Sequence, residues 1–100
     1  MVKWSEPAKR DLKQIHDFIA RDSERYAKKV AMDFVTRSEA LQSFPEMGRI
    51  IPELDDPSVR ELIIYSYRLI YRIALGQVEV LAIVHVRRES ASDVLPEPQN

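Results

Sequence analysis

The feature that most constrains this chain is a pair of apolar, β-branched stretches separated by a two-residue break. The stretches cover residues 67–75 and 78–86, and only Gly76 and Gln77 lie between them. Long runs rich in valine, isoleucine and tyrosine that flank a short glycine-containing break are typical of a β-hairpin. We therefore expect a long antiparallel ribbon around which the rest of the chain is organised.

The register of this hairpin predicts a functional site. If Gly76-Gln77 forms the loop, Leu75 pairs with Val78, and an uninterrupted ladder then places Arg68 opposite His85. Side chains alternate between the faces of a strand, so alternate residues on both strands share one surface. The cationic side chains predicted to lie on that surface are those of Arg68, Arg72, His85 and Arg87.

Length and composition indicate a soluble globular protein. The chain has 100 residues, of which 45% are hydrophobic and 31% charged, and we expect residues 1–100 to form one domain with an extended tail at residues 90–100. No apolar run approaches the roughly 20 residues of a membrane span, and the N-terminus lacks the apolar core of a signal peptide. A cytoplasmic location and no membrane association are the resulting expectations.

The sequence also argues against a metal or cofactor site. It contains no cysteine and only two histidines, which are far apart in the chain. Such a set falls short of the usual ligand combinations for zinc and other transition metals. We therefore predict no metal and no cofactor.

The net charge of −1 conceals a segregation of charge along the chain. Residues 60–88 contain five arginines against two glutamates, a balance of +3, whereas the segments on either side are acidic. This pattern permits a modest basic patch and excludes a strongly basic nucleic-acid-binding protein.

The N-terminal half predicts a short strand followed by two helices. Residues 2–4 are a candidate strand that pairs with the hairpin, Ser5 is a candidate helix cap and Ser23 is a second one. The apolar positions recur at helical spacing after each cap. These positions are Ala8, Leu12, Ile15 and Ile19 in the first helix, and Ala27, Val30, Ala31, Phe34 and Leu41 in the second.

The predicted fold class is α+β, with the N-terminal helical hairpin packed on a small antiparallel β-sheet. Residues 45–57 contain three prolines and one glycine and are predicted to form a loop, after which residues 59–65 form a further strand. Tyr67 and Tyr71 alternate with apolar residues and are expected to pack beneath the helices.

Several segments in order resemble one known family. The segments are DLKQIHDFI, FPEMGRIIPEL, VRELIIYSYRLIYRI and VLAIVHVRRE, which together span nearly the whole chain. The set is similar to the RelE/ParE superfamily of toxins from bacterial and archaeal type II toxin-antitoxin systems, and it is closest to the ParE branch. The resemblance implies a sheet packed on a helical hairpin, growth inhibition and plasmid stabilisation.

The RelE branch implies an enzyme. Its members are ribosome-dependent endoribonucleases that cut messenger RNA, a reaction that needs a base, an acid and cations on the phosphate. In this chain Glu53 or His85 is the candidate base, His85 the candidate acid, and Arg68 with Arg87 the candidate phosphate clamp.

The ParE branch implies a protein that poisons DNA gyrase and is not an enzyme. Two departures from the nuclease pattern favour this branch. The chain has no lysine after Lys29, although proteins that hold RNA need many cations, and it lacks the tyrosine that many RelE-like enzymes carry near the C-terminus. A third hypothesis is a non-toxic member that binds an antitoxin and acts as a co-repressor.

The candidate residues also have structural interpretations. His85 is compatible with a hydrogen-bonded structural histidine, and Arg68 and Arg72 are compatible with salt bridges to Glu53, Glu61 or Glu79. Gly48-Arg49 is interpreted as a turn in which Arg49 holds the loop.

The resemblance further implies a partner. A cognate antitoxin, ParD-like or RelB-like, is expected to bind an exposed sheet edge and the groove beside the helical hairpin. Contact with operator DNA is expected only through that antitoxin.

Overall fold

The computed structural model describes residues 2–86, and within them two helices pack on a five-stranded sheet. This arrangement confirms the predicted α+β class. The elements are β1 (Lys3–Trp4), α1 (Glu6–Ala20), α2 (Glu24–Glu39), a 3₁₀ turn (Ala40–Gln42), β2 (Arg49–Ile50), β3 (Val59–Ile64), β4 (Tyr67–Ala74) and β5 (Gln77–His85). No helix in this part of the chain is long and apolar enough to cross a bilayer.

Both predicted helix caps are confirmed. The Ser5 hydroxyl accepts a hydrogen bond from the Ala8 amide at 3.1 Å, and the Ser23 hydroxyl accepts one from the Tyr26 amide at 3.1 Å. Each bond satisfies one of the amides that lack a partner in the first turn of a helix. The two caps therefore fix where the helical hairpin begins and where it reverses.

The sheet has the strand order β1-β5-β4-β3-β2. The pairs β3-β4 and β4-β5 are antiparallel, as predicted, and β2 also pairs antiparallel with β3. Strand β1 runs parallel to β5, so the sheet is mixed. Strand β2 lies inside the segment that the sequence predicts to be only a loop. It has two residues, too few to show alternation in the sequence.

The main core lies between the helices and one face of the sheet, which we call the helix face. Phe34 of α2 and Leu69 and Tyr71 of β4 are completely buried there, and Tyr67 packs against the same cluster. This confirms that both tyrosines lie beneath the helical hairpin. The large buried area of these side chains supplies much of the apolar stabilisation of a small domain.

A smaller cluster lies on the opposite face, which we call the outer face. Its members are Ile51, Val59, Ile70 and Val84, with Leu54 packed against them. Ile51 and Leu54 belong to the segment between β2 and β3, so this segment is held against the sheet by its own apolar side chains. Both faces of the sheet centre are therefore covered.

The predicted hairpin register is wrong in two respects. The loop consists of Leu75 and Gly76, because Ala74 pairs with Gln77, and both loop residues have positive φ angles of 54° and 73°. Two consecutive left-handed residues are the requirement of the tightest hairpin turns. The loop thus begins one residue earlier than predicted.

The second error is a β-bulge in β5. Tyr71 pairs with Val80 and Ile70 pairs with Ala82, which leaves Leu81 as an extra residue. An extra residue reverses the alternation of all the side chains that follow it on that strand. Beyond the bulge, Arg68 pairs with Val84 and Tyr67 pairs with His85.

The start of α1 holds the bulged segment. The Ser5 amide donates to the Val80 carbonyl at 2.9 Å, and the Ser5 hydroxyl donates to the Leu81 carbonyl at 3.0 Å. The Ile83 amide donates to Asp11 Oδ2 at 2.9 Å. Ser5, the cap of α1, and Asp11 within α1 therefore replace β1 as hydrogen-bonding partners where that two-residue strand ends.

Candidate functional site

An ion-pair network on the outer face joins two of the predicted site residues. The Arg68 Nη2 atom lies 3.2 Å from Glu53 Oε2, and Arg68 Nε lies 2.5 Å from Glu61 Oε1. The second oxygen of Glu61 is 2.5 Å from Arg49 Nε. We call this cluster the Glu61 network; its centre is buried, since Glu61 is 1% exposed and Arg68 9% exposed.

The network compensates the charge of Arg68. Burial by itself lowers the pKa of Arg68, but the hydrogen bonds to Glu61 and Glu53 outweigh burial, and the net direction is upward. A buried charge is tolerated only when it is paired and hydrogen-bonded, which describes Arg68 here. The salt-bridge interpretation of Arg68 is confirmed, with Glu53 and Glu61 as partners and Arg49 as a second cation.

His85 lies on the helix face, away from the Glu61 network. It pairs with Tyr67, and the two rings are 5.5 Å apart with an interplanar angle of 82°. Tyr67 in turn meets Phe34 edge-on at 5.8 Å. The predicted convergence of Arg68 and His85 on one surface is therefore wrong, because the bulge at Leu81 turns His85 to the other side.

The four predicted site residues are thus divided by the structure. Glu53 and Arg68 are in direct contact, and His85 is on the opposite face. Arg87 lies outside the described residues. Among residues 2–86, the base, acid and phosphate clamp expected for RNA cleavage do not meet at one place.

A buried tyrosine fixes the loop beside the network. The Tyr71 hydroxyl accepts from the Gly48 amide at 2.9 Å and donates to the Pro45 carbonyl at 2.6 Å. Burial raises the pKa of Tyr71. A Cβ on Gly48 would lie 2.6 Å from both the Tyr71 hydroxyl and the Glu61 carbonyl oxygen, so glycine is required for this close approach.

The segment between β2 and β3 carries an acidic loop, residues 51–57. Asp56 Oδ1 accepts hydrogen bonds from the Ser58 hydroxyl at 2.8 Å and the Ser58 amide at 3.0 Å. Both bonds lower the pKa of Asp56, and the bond from the Ser58 hydroxyl has the larger effect. The positive charge of Arg72 makes a smaller contribution in the same direction. The loop is therefore ordered by local bonds and lies close to β4.

An apolar groove lies at the β1 edge of the sheet, opposite the β2 edge. The sequence predicts a groove beside the helical hairpin but not the residues that line it. It has a volume of about 890 Å³ and lies where β1 meets the two helices. Lys3, Lys9, Lys13 and His16 contribute positive or titratable groups, while Glu6 and Glu39 contribute negative ones. The apolar residues that line it are Val2, Trp4, Leu12, Ala31 and Val35.

A second polar cluster that sequence reasoning missed ties the β3-β4 turn to α2. The Tyr65 hydroxyl donates to Asp33, and Lys29 Nζ lies 3.0 Å from the same carboxylate. The hydrogen bond from Tyr65, followed by that from Lys29, lowers the pKa of Asp33. All three residues are exposed or half-buried, and Tyr65 is at least 32 positions from the two helical residues in the sequence. No local sequence pattern therefore predicts the contact.

The described part of the chain offers no metal centre. No group of three or more histidine, cysteine, aspartate or glutamate side chains in residues 2–86 could hold a metal ion. The carboxylates of the Glu61 network are instead occupied by arginines.

Comparison with known proteins gives three consistent results. Residues 2–90 match the family model described as the ParE toxin of type II toxin-antitoxin systems, parDE. Toxin RelE2 of Caulobacter vibrioides is 33% identical over 88 residues, which cover 87% of this chain and 96% of that protein. A solved structure of a chromosomal ParDE system from P. aeruginosa matches with a TM-score of 0.71 and 26% identity over 86% of this chain and 95% of that one.

Proposed function

The chain belongs to the ParE toxin family of type II toxin-antitoxin systems, and on that premise we propose that it acts by binding DNA gyrase and does not cleave RNA. Its family membership leaves both targets of the wider RelE/ParE group open. The choice between them rests on the arrangement of the candidate catalytic groups.

The separation of Arg68 from His85 carries this proposal. Cleavage by internal attack requires a proton acceptor, a proton donor and a phosphate-binding cation within hydrogen-bonding reach of one phosphate. His85 and Arg68 lie on opposite faces of the sheet, and the charge of Arg68 is already compensated by Glu53 and Glu61. A protein that works by binding needs no such constellation.

The alternative function is a ribosome-dependent endoribonuclease. One observation favours it, since the relative from Caulobacter vibrioides carries the name of a RelE toxin. The residues of this alternative are Glu53, Arg68, His85 and Arg87.

Two assays on the purified toxin separate the candidates. We expect the protein to inhibit DNA supercoiling by gyrase and to leave messenger RNA intact in a bacterial translation extract. Site-specific RNA cleavage in the extract without an effect on gyrase would reverse the assignment. Inactivity in both assays, with normal growth of cells that express the chain alone, would support the co-repressor hypothesis instead.

The groove beside β1 is the proposed docking site of the cognate antitoxin. Its apolar lining suits the apolar face of a helix, and the lysines at its rim suit acidic residues on the same partner. Strand β1 is an edge strand of the sheet, so a backbone segment can extend the sheet next to the groove.

Two exposed residues of α2 provide a matched test of this docking site. Val35 lines the groove, whereas Met32 is exposed on the same helix and is not part of the lining. We expect Val35→Asp to weaken binding of the antitoxin encoded beside the toxin by about tenfold or more, as is usual for a central interface position. Met32→Asp should have little effect, and equal losses in both variants would refute the location.

A further inference from the structure

We propose that the acidic loop, residues 51–57, occupies the position of a phosphodiester chain on the outer face of the sheet and thereby keeps single-stranded nucleic acid from binding there. This masking rests on the proposed gyrase-directed function, since the ribonuclease alternative requires Arg68 to contact a phosphate. It concerns the arginines of β4 and the carboxylates that the chain itself places over them.

The outer face presents several guanidinium groups. Arg68 and Arg72 are four residues apart on β4, so they share the face and lie about 13 Å apart along the strand. Arg49 of β2 adds a third group, whose side chain is 67% exposed. Guanidinium groups bind phosphate through paired hydrogen bonds, so this surface has the chemistry of a phosphate-binding strip.

The acidic loop lies over this strip and supplies anions to it. Glu53 Oε2 is 3.2 Å from Arg68 Nη2. The positive charge of Arg72 contributes to lowering the pKa of Asp56. Ile51 and Leu54 belong to the same apolar cluster as Ile70, which lies between the two arginines on β4. The loop is therefore anchored by apolar contacts at its centre and by electrostatic contacts around them.

The charges explain why the strip is masked. Glu61 and Glu53 together compensate Arg68, and Glu61 is shared with Arg49. Without the charges of Glu53, Asp55 and Asp56, the three arginines would face only the carboxylate of Glu61 and that of Glu79, which lies opposite Arg72 in the β4-β5 ladder. The surface would then carry a net positive charge. Arginines that neutralise phosphates release counterions, which is the main source of non-specific affinity for nucleic acid.

The test neutralises the loop without changing its shape. In the variant Glu53→Gln/Asp55→Asn/Asp56→Asn, an amide oxygen remains to accept the bonds that position 56 receives from Ser58. Asp55 has a φ angle of 50°, which asparagine tolerates better than most residues. We expect this variant to bind a short fluorescein-labelled single-stranded RNA about tenfold more tightly than wild type in anisotropy titrations, with a steeper dependence on salt.

A control variant separates masking from a simple change of net charge. Asp17→Asn/Asp22→Asn/Glu24→Gln alters the charge by the same amount at exposed positions of the helical hairpin, and it should not gain affinity. Adding Arg72→Gln, at an exposed position, to the loop variant should remove part of the gain. A control that gains as much as the loop variant, or a gain that Arg72→Gln leaves unchanged, would overturn the proposal.

Two further measurements keep the outcome decisive. DNA of the same sequence should gain as much affinity as RNA, because the strip contacts phosphates, and a gain confined to RNA would contradict this. If Glu53→Gln prevents folding, the pair Asp55→Asn/Asp56→Asn should still give a smaller gain. Wild-type affinity in a folded loop variant would show that the loop masks nothing.

Discussion

At the scale of single residues, Glu61 is the most informative position. Its carboxylate is almost completely buried and accepts a hydrogen bond from a guanidinium on each oxygen. Its position on β3 and its place in an alternating strand are visible in the sequence. The sequence also offers it as a salt-bridge partner of Arg68, but it does not predict the burial of Glu61, because a carboxylate in a strand is ordinarily expected at the surface.

We expect Glu61→Gln to destabilise the protein far more than Glu53→Gln. Removing the charge of Glu61 leaves Arg68 buried with only one partner, and loss of one member of a buried pair typically costs about 3–5 kcal/mol. The side chain of Glu53 is 34% exposed, so water can replace much of its interaction. Urea unfolding of the two variants and the wild type measures the difference, and equal midpoints for the two variants would contradict it.

The position of Leu75 in the hairpin turn is not expected from the sequence. It is fully exposed and has a φ angle of 54°, a conformation that suits asparagine or glycine. The sequence favours a loop of Gly76 and Gln77, because leucine is a poor turn residue. The observed turn instead accepts strain at Leu75 so that Ile73 can pair with Val78.

Leu75→Asn should therefore stabilise the protein by about 1 kcal/mol, since asparagine adopts the left-handed conformation at lower cost. For a domain of this size the gain corresponds to a rise in melting temperature of about 4–8 °C. Leu75→Ala is the control, because it removes the exposed side chain and keeps the strained backbone. A melting temperature that rises equally in both variants would show that exposure, and not backbone strain, is the cause.

At the scale of secondary structure, sequence patterns predict the regular elements well and the irregular ones poorly. The two helices follow from serine caps and helical spacing, and β4 and β5 follow from their β-branched residues. Strand β2 is too short to have a pattern. The bulge at Leu81 also has no sequence signal, because an extra residue in an apolar strand leaves the sequence apolar throughout.

The bulge has an identifiable support in Asp11. This half-buried aspartate of α1 accepts a hydrogen bond from the Ile83 amide of β5. Strand β1 pairs with β5 only at Glu79 and Val80, so it does not reach Ile83. Asp11→Ala should cost about 1–3 kcal/mol, the usual range for leaving such a donor without a partner. It should also accelerate hydrogen exchange at the Ile83 amide.

Asp17 of the same helix is the matched control for this prediction. It is exposed and pairs with Lys13 at 2.7 Å, a surface contact that is worth little. Asp17→Ala should leave both the unfolding free energy and the Ile83 exchange rate nearly unchanged. A loss for Asp11→Ala no larger than that for Asp17→Ala would mean that the side chain does not hold the bulge.

At the scale of the whole molecule, the fold and the site differ in how far the sequence predicts them. The α+β class and the toxin family follow from ordered segments that span most of the chain. The candidate site depends on which face of the sheet the alternating side chains of β5 occupy, and one extra residue moves the later side chains to the opposite face. Arg68 and His85 are therefore close in the predicted ladder and on opposite faces in the structure.

The two faces of the sheet and the groove beside β1 differ in their chemistry. The outer face holds arginines that are paired with carboxylates, the helix face holds His85 against Tyr67, and the groove at β1 is apolar with a charged rim. A candidate docking groove is thus present, and residues 2–86 hold no assembled set of the catalytic groups expected for RNA cleavage. A toxin that acts through binding needs His85 only as part of its scaffold.

The most direct test is the concentration of toxin that halves gyrase supercoiling, measured for wild type and for His85→Ala. Antitoxin binding by both proteins verifies that the variant is folded. We predict inhibition by both proteins with midpoints that differ by less than about tenfold, since a residue outside the working surface carries little of the binding energy. Loss of activity in a folded His85→Ala variant, accompanied by RNA cleavage by the wild type, would contradict the account.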